Sequence, residues 1–226
     1  MIRKRECLLA VLVTAVLAVS SAQAGFDYGF YDFTHSNTTN EAIAEAQLKL
    51  TVSDSGGGLV RFQFTNTGAS ASSITGIYFD DRATSGLFAS IATGIQNGTG
   101  VSFSNSASGN ITGGNGVGFT ATRRALANNP TVTNGVNPSE TIGLTLTLAG
   151  GRAFSEVIST LQSAALRVGV RMSGFAINGG ESLLNNLNAN APPPPPPPVV
   201  PEPSSLMLAG MALVGLVISR RRHAAP

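Results

Sequence analysis

The residues best suited to chemistry are two adjacent carboxylates, Asp80 and Asp81, which follow an apolar stretch ending at Phe79. Paired carboxylates at the end of a strand can ligate Ca²⁺, and Asp54 is a possible third ligand. No Asp-x-Asp-x-Asp-Gly loop surrounds the pair, and consecutive strand residues point to opposite faces. We therefore expect both carboxylates to be solvated residues of a turn, with Ca²⁺ ligation as the alternative.

Two further patterns point away from catalysis. The glycine-rich segment GGNGVG at 113–118 lacks the strand, helix and acidic residue that a dinucleotide loop requires, so we expect a flexible loop. His35 is the only histidine before the C-terminal segment, and one histidine does not make a His-rich metal site. No Gly-x-Ser-x-Gly elbow is present. The sequence predicts no catalytic residue and no cofactor, with Ca²⁺ as the one alternative.

Aromatic and threonine residues raise two questions about binding. The aromatic residues near position 30 either form a platform for sugar or belong to a first strand that packs on the core, and we favour the strand. These residues are Tyr28, Phe30, Tyr31 and Phe33. Thr145 and Thr147 form a single Thr-x-Thr pair, whereas an ice-binding face needs many such pairs. We interpret this pair as ordinary strand alternation.

Most of the segment that carries these residues has the two-residue period of β-strands. Apolar residues alternate with polar ones from Ala44 to Val52 and again at Val60, Phe62 and Phe64, and SGGG separates the two runs. This pattern predicts a β-hairpin.

Similar alternation predicts further strands at 72–81, 141–150 and 165–177, and two short ones at 87–91 and 100–103. Residues 104–140 are rich in Gly, Asn and Ser and are expected to form a long loop or irregular strands. One helix is expected around 154–161, where Phe154, Val157, Ile158 and Leu161 have helical spacing. The expected fold is all-β, an antiparallel sandwich of jelly-roll or Ig-like type with one short helix.

The charge distribution argues against nucleic acid as a partner. The chain has 226 residues and a net charge of +2, but six of its cations lie in its two ends. Residues 25–201 contain eight Lys or Arg and ten Asp or Glu, a net charge of −2. A phosphate-binding surface needs clustered cations, and in this range only Arg123 and Arg124 are adjacent.

Residues 1–24 have the parts of a secretory signal peptide. A basic start is followed by an apolar run and by Ala22-Gln23-Ala24, with cleavage by signal peptidase expected before Gly25. The single cysteine, Cys7, precedes the apolar run, so a mature chain that begins at Gly25 has no thiol for disulfides, catalysis or metal binding.

Residues 185–199 are expected to form a linker between the body, 25–184, and the C-terminal segment, 200–223. Seven consecutive prolines at 192–198 favour polyproline II, a stiff spacer of about 22 Å. Residues 203–219 carry no charge, and the cluster Arg220, Arg221 and Arg222 follows. An apolar helix closed by arginines favours transient anchoring in the inner membrane with a cytoplasmic C-terminus, which leaves the body outside.

This C-terminal segment resembles the PEP-CTERM sorting signal of Gram-negative bacteria that produce exopolysaccharide. The resemblance rests on Pro201, Glu202 and Pro203, the short apolar helix and the terminal arginines. It implies that an exosortase, a membrane cysteine protease or transpeptidase, recognises the Pro-Glu-Pro and cuts near it. The same tail carries the label "ice-binding protein C-terminal domain" in some family descriptions, which names the tail and no activity of the body.

Three functions are compatible with the sequence. The first is a non-enzymatic secreted envelope or matrix protein, associated with exopolysaccharide and located at the cell surface or outside the cell. The second is a carbohydrate- or Ca²⁺-binding module. The third is a secreted hydrolase, which requires paired carboxylates that converge in a concave pocket. We favour the first because the sorting signal is present and catalytic motifs are missing.

Overall fold

The computed structural model describes residues 25–84, 86–106 and 109–188, with the side chains of 90–94 excepted. The predictions for the signal peptide, for residues 189–199 of the linker and for the sorting segment lie outside these residues. Within the described part the chain folds into two antiparallel sheets, so the predicted all-β sandwich is confirmed.

Eleven strands and two helices make up the described fold. The strands are β1 Phe26–Tyr28, β2 Phe30–Asp32, β3 Leu48–Gly56, β4 Leu59–Asn66, β5 Ser73–Asp80, β6 Phe88–Asn97, β7 Phe103–Ser106, β8 Arg123–Ala127, β9 Thr141–Leu148, β10 Arg167–Ser173 and β11 Gly180–Asn185. The helices are α1 Thr38–Gln47 and α2 Phe154–Gln162.

The strands divide between two sheets. The first sheet has the order β1-β3-β4-β9-β6, and the second has the order β2-β11-β10-β5-β8-β7. β1 and β2 are separated only by Gly29, yet they belong to different sheets. The chain therefore crosses between the sheets at its first turn, and its second and last strands, β2 and β11, pair with each other.

The core lies between the sheets and follows from the alternation of apolar residues. Phe62 and Phe64 of β4 are fully buried, as are Val168 and Val170 of β10. The rings of Phe62 and Phe79, from opposite sheets, meet edge to face with centroids 5.1 Å apart. Burial of such side chains is the main force that holds two sheets together, and the predicted inward faces are confirmed.

The predicted hairpin forms between β3 and β4. Gly56 pairs with Leu59, and the two turn residues, Gly57 and Gly58, have φ angles of 61° and 76°. Two consecutive positive φ values suit the tight turns that join antiparallel strands, and glycine adopts them without steric cost.

One part of the predicted first strand is helical instead. Residues 44–47 belong to α1, which begins after Asn37, whose side chain accepts hydrogen bonds from the N–H groups of Thr39 and Asn40. The alternating alanines predicted as strand are good helix formers, and the buried positions Asn40, Ala44 and Gln47 have helical spacing. The prediction of one short helix was wrong in number, because α2 matches it and α1 adds a second.

Two other sequence predictions need correction. The strand candidates at 87–91 and 100–103 are replaced by the ten-residue β6 and by β7, which begins at Phe103. The segment 104–140 contains β8 as well as the end of β7. β11 was not predicted, and it runs one residue past the predicted body boundary, to the buried Asn185.

Candidate functional site

A small second hydrophobic core lies on the outer face of the second sheet and supports the site. Ile111 and Phe119, from the segment between β7 and β8, pack with Tyr78 and Leu184. Gly169 of β10 makes this approach possible, because a Cβ there would lie 3.1 Å from the Phe119 ring. The segment between β7 and β8 therefore packs directly on β5, β10 and β11.

Residues 113–118 are part of this structure. Gly114–Val117 form a 3₁₀ turn, and the flanking residues Gly113 and Gly118 both have positive φ. Asn110 supports the turn by donating to the Phe119 carbonyl at 2.6 Å and accepting from the Ala121 N–H at 3.0 Å. The prediction of a flexible loop for these residues was wrong, because hydrogen bonds hold them in a defined turn.

Asp80, the last residue of β5, lies at the centre of the site. Arg82 donates through Nε and Nη2 to its two carboxylate oxygens at 2.9 and 3.0 Å. Arg167, the first residue of β10 and the cross-strand partner of Asp80, donates to Oδ2 at 2.6 Å. The N–H of Thr120 donates to the same oxygen at 3.1 Å.

The two arginines are oriented by the 3₁₀ turn as well as by Asp80. Both donate to the carbonyl of Gly118, and Arg167 also donates to the carbonyl of Val117 at 3.0 Å. The guanidinium of Arg167 lies 5.3 Å from the centre of the Phe119 ring, within the range of a cation–π interaction. The outer-face core therefore fixes the position of a charged group.

These residues line an open cavity of about 410 Å³, which we call the arginine cleft. It is lined by Asp80, Arg82, Ala83, Ala164, Ala165 and Arg167. Two guanidinium groups and one carboxylate give the lining a charge of +1. The side chain of Arg82 is 50% exposed and that of Arg167 is 23% exposed, whereas that of Asp80 is 4% exposed. The cleft therefore presents positive charge to solvent above a buried negative charge.

The electrostatics keep Asp80 ionised. Burial alone would raise the pKa of this carboxyl, but hydrogen bonds from Arg82, from the Thr120 N–H and from Arg167 outweigh burial and lower the pKa to about 2. A carboxyl held as an anion with its oxygens occupied by donors is a poor general acid at neutral pH. Its role in the cleft is to hold the arginines.

Asp81 lies beside Asp80 in the chain but has separate partners. Its carboxylate pairs with Arg123 and accepts from the Thr122 hydroxyl at 2.5 Å. The expectation that Asp80 and Asp81 are solvated turn residues was wrong, because both are buried. Their oxygens are occupied by arginines, threonines and backbone N–H groups, which gives Ca²⁺ binding by this pair no support.

The third candidate ligand, Asp54, belongs to the other sheet. It lies in β3 and accepts from the N–H of Gly56 at 2.8 Å. Among the residues that the structure describes, no group of three or more His, Cys, Asp or Glu residues is placed to hold a metal ion.

The remaining candidates have structural partners. His35 is exposed, and its Nδ1 lies 3.1 Å from Oε1 of Glu41. Tyr28 and Phe30 are buried in the core, which confirms the strand interpretation for these two, while Tyr31 is 44% exposed on the opposite face of β2.

The Thr-x-Thr pair is also explained by the strand that contains it. Thr145 and Thr147 are half-buried and alternate with the buried Leu144 and Leu146 of β9. The interpretation as strand alternation is confirmed.

The comparison with family models found one match, the PEP-CTERM protein-sorting motif, at residues 199–222. The chain carries a PEP-CTERM sorting motif. The match covers Pro201, Glu202 and Pro203 and extends to Arg222, the segment on which the sequence resemblance rests. The PEP-CTERM motif indicates a protein that is exported, passes through a membrane-anchored stage and is processed by an exosortase.

The PEP-CTERM match says nothing of the body, and other comparisons add nothing to it. Neither the curated proteins nor the solved structures that were searched gave a match. Among the described residues, no helix is long and apolar enough to cross a membrane. The function of the body therefore has to be argued from its own geometry.

Sequence reasoning found Asp80 but missed the residues that surround it. Arg82 follows Asp80 by two positions, whereas Arg167 and Gly118 are distant in the chain. The available signal was the register of β5 and β10, in which Asp80 is opposite Arg167. Strand order is not visible in the sequence, so the signal could not be used.

Proposed function

We propose that this chain is a non-enzymatic protein of the cell envelope or extracellular matrix, whose β-sandwich associates with exopolysaccharide. The observation that carries the proposal is the PEP-CTERM sorting motif at 199–222, attached to a folded body of two sheets. Export and exosortase processing support a location outside the inner membrane, where such a body can meet extracellular polymers. The absence of catalytic motifs from the sequence also favours a binding or structural role.

The arginine cleft supplies the contact that we assign to an acidic polysaccharide. Arg82 is half exposed and belongs to a lining with a net positive charge. The Nε and Nη2 groups of Arg82 already donate to Asp80, which leaves Nη1 to donate a charge-assisted hydrogen bond to a carboxylate of the polymer. Asp80 and the carbonyl of Gly118 hold Arg82 in place, which reduces the entropy lost on binding. Uronic acid residues carry the matching carboxylate.

The second candidate, a general carbohydrate- or Ca²⁺-binding module, shares the cleft but requires no sorting to the matrix. The hydrolase candidate is less well supported. The described lining of the cleft contains a single carboxylate, Asp80, and a glycoside hydrolase usually needs two.

Processing is tested by the intact mass of the native protein, measured in the culture supernatant and in the membrane fraction. We expect a polypeptide that ends near Pro201–Pro203 in at least one fraction. Glu202→Ala should slow this cut and retain the full-length chain in the membrane fraction. Glu156→Ala, which changes a half-buried glutamate of α2, should be cut normally. Equal processing of the Glu202→Ala protein and the wild type would contradict recognition of the motif.

Binding is tested by affinity electrophoresis in gels that contain alginate, a polyuronate, or dextran, a neutral glucan. We expect alginate to retard the protein, dextran not to retard it, and salt to weaken the retardation. The affinity for alginate should be about tenfold lower for Arg82→Ala, since one good ion pair in a cleft is worth about 1.4 kcal/mol. Lys49→Ala is the matched control, because Lys49 is 49% exposed and pairs with a single carboxylate on the first sheet. If alginate retards the Arg82→Ala and Lys49→Ala proteins equally, the result would contradict the role of the cleft.

A further inference from the structure

A second buried carboxylate site lies where α1 packs against β2 and β11. Asp32 is the last residue of β2, and Glu181 is the second residue of β11. Both face the inner side of the second sheet, Asp32 opposite Leu183 and Glu181 opposite Met172, and both are almost fully buried. The two carboxyl groups are neighbours, and Asp32 adds to the effect of burial in raising the pKa of Glu181.

One oxygen of each carboxyl group is held by donors. The Thr34 hydroxyl contacts both, at 2.8 Å from Asp32 Oδ1 and 3.1 Å from Glu181 Oε2. The N–H of Thr34 donates to Asp32 Oδ1 at 2.6 Å, and the N–H of Ser36 donates to Glu181 Oε2 at 3.1 Å. The other oxygens, Asp32 Oδ2 and Glu181 Oε1, are buried without a partner.

A third buried oxygen without a partner belongs to Asn40, which is independent of the acidic pair. Asn40 is completely buried on the face of α1 that packs on β2 and β11. Its Nδ2 donates to the carbonyl of Ile177, in the loop that leads into β11, at 3.3 Å, and this bond assigns Oδ1 as the free end of the amide. Buried polar atoms are almost always satisfied, so three unsatisfied acceptors in the corner formed by α1, β2 and β11 indicate a missing partner. Beside two carboxyl groups, the matching partner carries a positive charge.

The charged groups around this corner do not supply that charge. Among the described residues, no ion pair includes Asp32 or Glu181. Glu45 accepts from the N–H of Asp32 at 2.8 Å and adds negative charge. His35 is largely exposed and paired with Glu41. Two carboxylates and an amide oxygen form a set of hard oxygen ligands, the kind that Ca²⁺ takes in proteins.

We propose that Asp32, Asn40 and Glu181 bind a Ca²⁺ ion, which closes α1 onto the edge of the second sheet. Asp32 Oδ2, Asn40 Oδ1 and Glu181 Oε1 are the protein ligands. The site is distinct from Asp80 and Asp81 and does not depend on polysaccharide binding. It has two carboxylates and an amide, so the affinity belongs to the weak, extracellular range of about 10⁻⁴ to 10⁻³ M.

The first test is thermal unfolding of the purified full chain in 5 mM CaCl₂ and in EDTA, at pH 7. We expect Ca²⁺ to raise Tm by several degrees, as mass action requires when an ion binds only the folded state, and Mg²⁺ to raise it less. Glu181→Gln should have a higher Tm than the wild type in EDTA, because repulsion is removed, and should lose the Ca²⁺ response. Glu156→Gln, which changes a half-buried glutamate of α2 far from this corner in the chain, should respond to Ca²⁺ like the wild type.

A second variant keeps the proposal testable if Glu181→Gln fails to fold. Asn40→Asp adds a third carboxylate, so it should lower Tm in EDTA and bind Ca²⁺ at least tenfold more tightly by calorimetry. An unchanged Ca²⁺ affinity in Asn40→Asp, or an equal Tm of the wild type in Ca²⁺ and EDTA, would overturn the proposal. A Tm that rises on acidification but does not respond to Ca²⁺ would also overturn it, since a shared proton would then occupy the corner.

Discussion

The two buried carboxylate sites at the ends of β10 differ in what surrounds them. Asp80 is opposite Arg167 at the start of the strand, and Glu181 is opposite Met172 near its end, about 17 Å away at 3.4 Å per residue. Asp80 has two arginines as neighbours, whereas Glu181 has a second carboxyl group, that of Asp32. The strand is common to both sites, and the partners are not.

This difference shifts the pKa values of the two carboxyl groups in opposite directions. Burial raises the pKa in both cases, and at Glu181 the neighbouring Asp32 raises it further. At Asp80 the arginines and the Thr120 N–H reverse the effect of burial. Burial alone therefore does not say whether a carboxyl group is ionised, and the groups that contact the carboxyl decide.

The largest effect is expected from Phe119→Ala, which removes the support of the arginine cleft. The ring is fully buried, packs beside Gly169 and lies under the Arg167 guanidinium. We expect a loss of about 4 kcal/mol in the free energy of unfolding, measured in urea. The Glu181 corner should keep its Ca²⁺ response, and a loss of that response would show that the two sites are coupled.

The next largest effect is expected from Asp80→Asn, which leaves Arg82 and Arg167 without their carboxylate. Removing one partner of a buried ion pair costs about 3 kcal/mol, and urea unfolding measures this loss. Asp54→Asn is the control, because Asp54 is half-buried and accepts only from a backbone N–H. A loss below about 1 kcal/mol for Asp80→Asn would contradict the conclusion that Asp80 holds the two arginines of the cleft.

The pH dependence of stability, measured in EDTA, should separate the two sites. The folded pKa of Glu181 is raised, so its ionisation destabilises the fold above that pKa, and stability should increase as pH falls from 7 towards the unfolded value of about 4.3. The folded pKa of Asp80 is lowered to about 2, so its stabilisation is present above the unfolded value and is lost as pH falls towards 2.

Glu181→Gln tests this assignment. The variant should lose the increase between neutral pH and about 4.3 and keep the decrease at lower pH. A wild-type curve that is flat over the upper range would contradict the raised pKa of Glu181.

The smallest effect is expected from Ala164→Gly in the wall of the cleft. Ala164 follows α2 with φ of 59°, in the left-handed region where an alanine costs about 1 kcal/mol. Glycine removes this cost but loses more entropy on folding, so we expect a net gain of about 0.5 kcal/mol in thermal unfolding. Ala83→Gly, at a position without positive φ in the same cleft, should give no gain.

The fold class was predictable because its main signal is local. Alternation in β4, β9 and β10 gave the correct inward faces, since a strand with one buried face has a period of two. The same rule failed at residues 44–47, where small alanines fit a helix equally well. It also failed at β11, whose six residues are all buried and show no alternation.

The candidate sites were much less predictable, because they depend on strand order and register. Asp80 was selected for its neighbour in the chain, Asp81, yet the residues that determine its chemistry are Arg82, Thr120 and Arg167. Glu181 had no neighbour in the sequence to mark it, and its partner Asp32 lies 149 positions earlier. The pairing of β2 with β11 brings the two together.

That pairing also determines how the protein bears a load. β11 is flanked by β2 on one side and by β10 on the other, and the sorting segment follows it in the chain. A pull along β11 from its C-terminal end would have to break the hydrogen bonds to both neighbouring strands at once. The strand that leads towards the sorting segment is therefore an interior one, which resists such a pull better than an edge strand would.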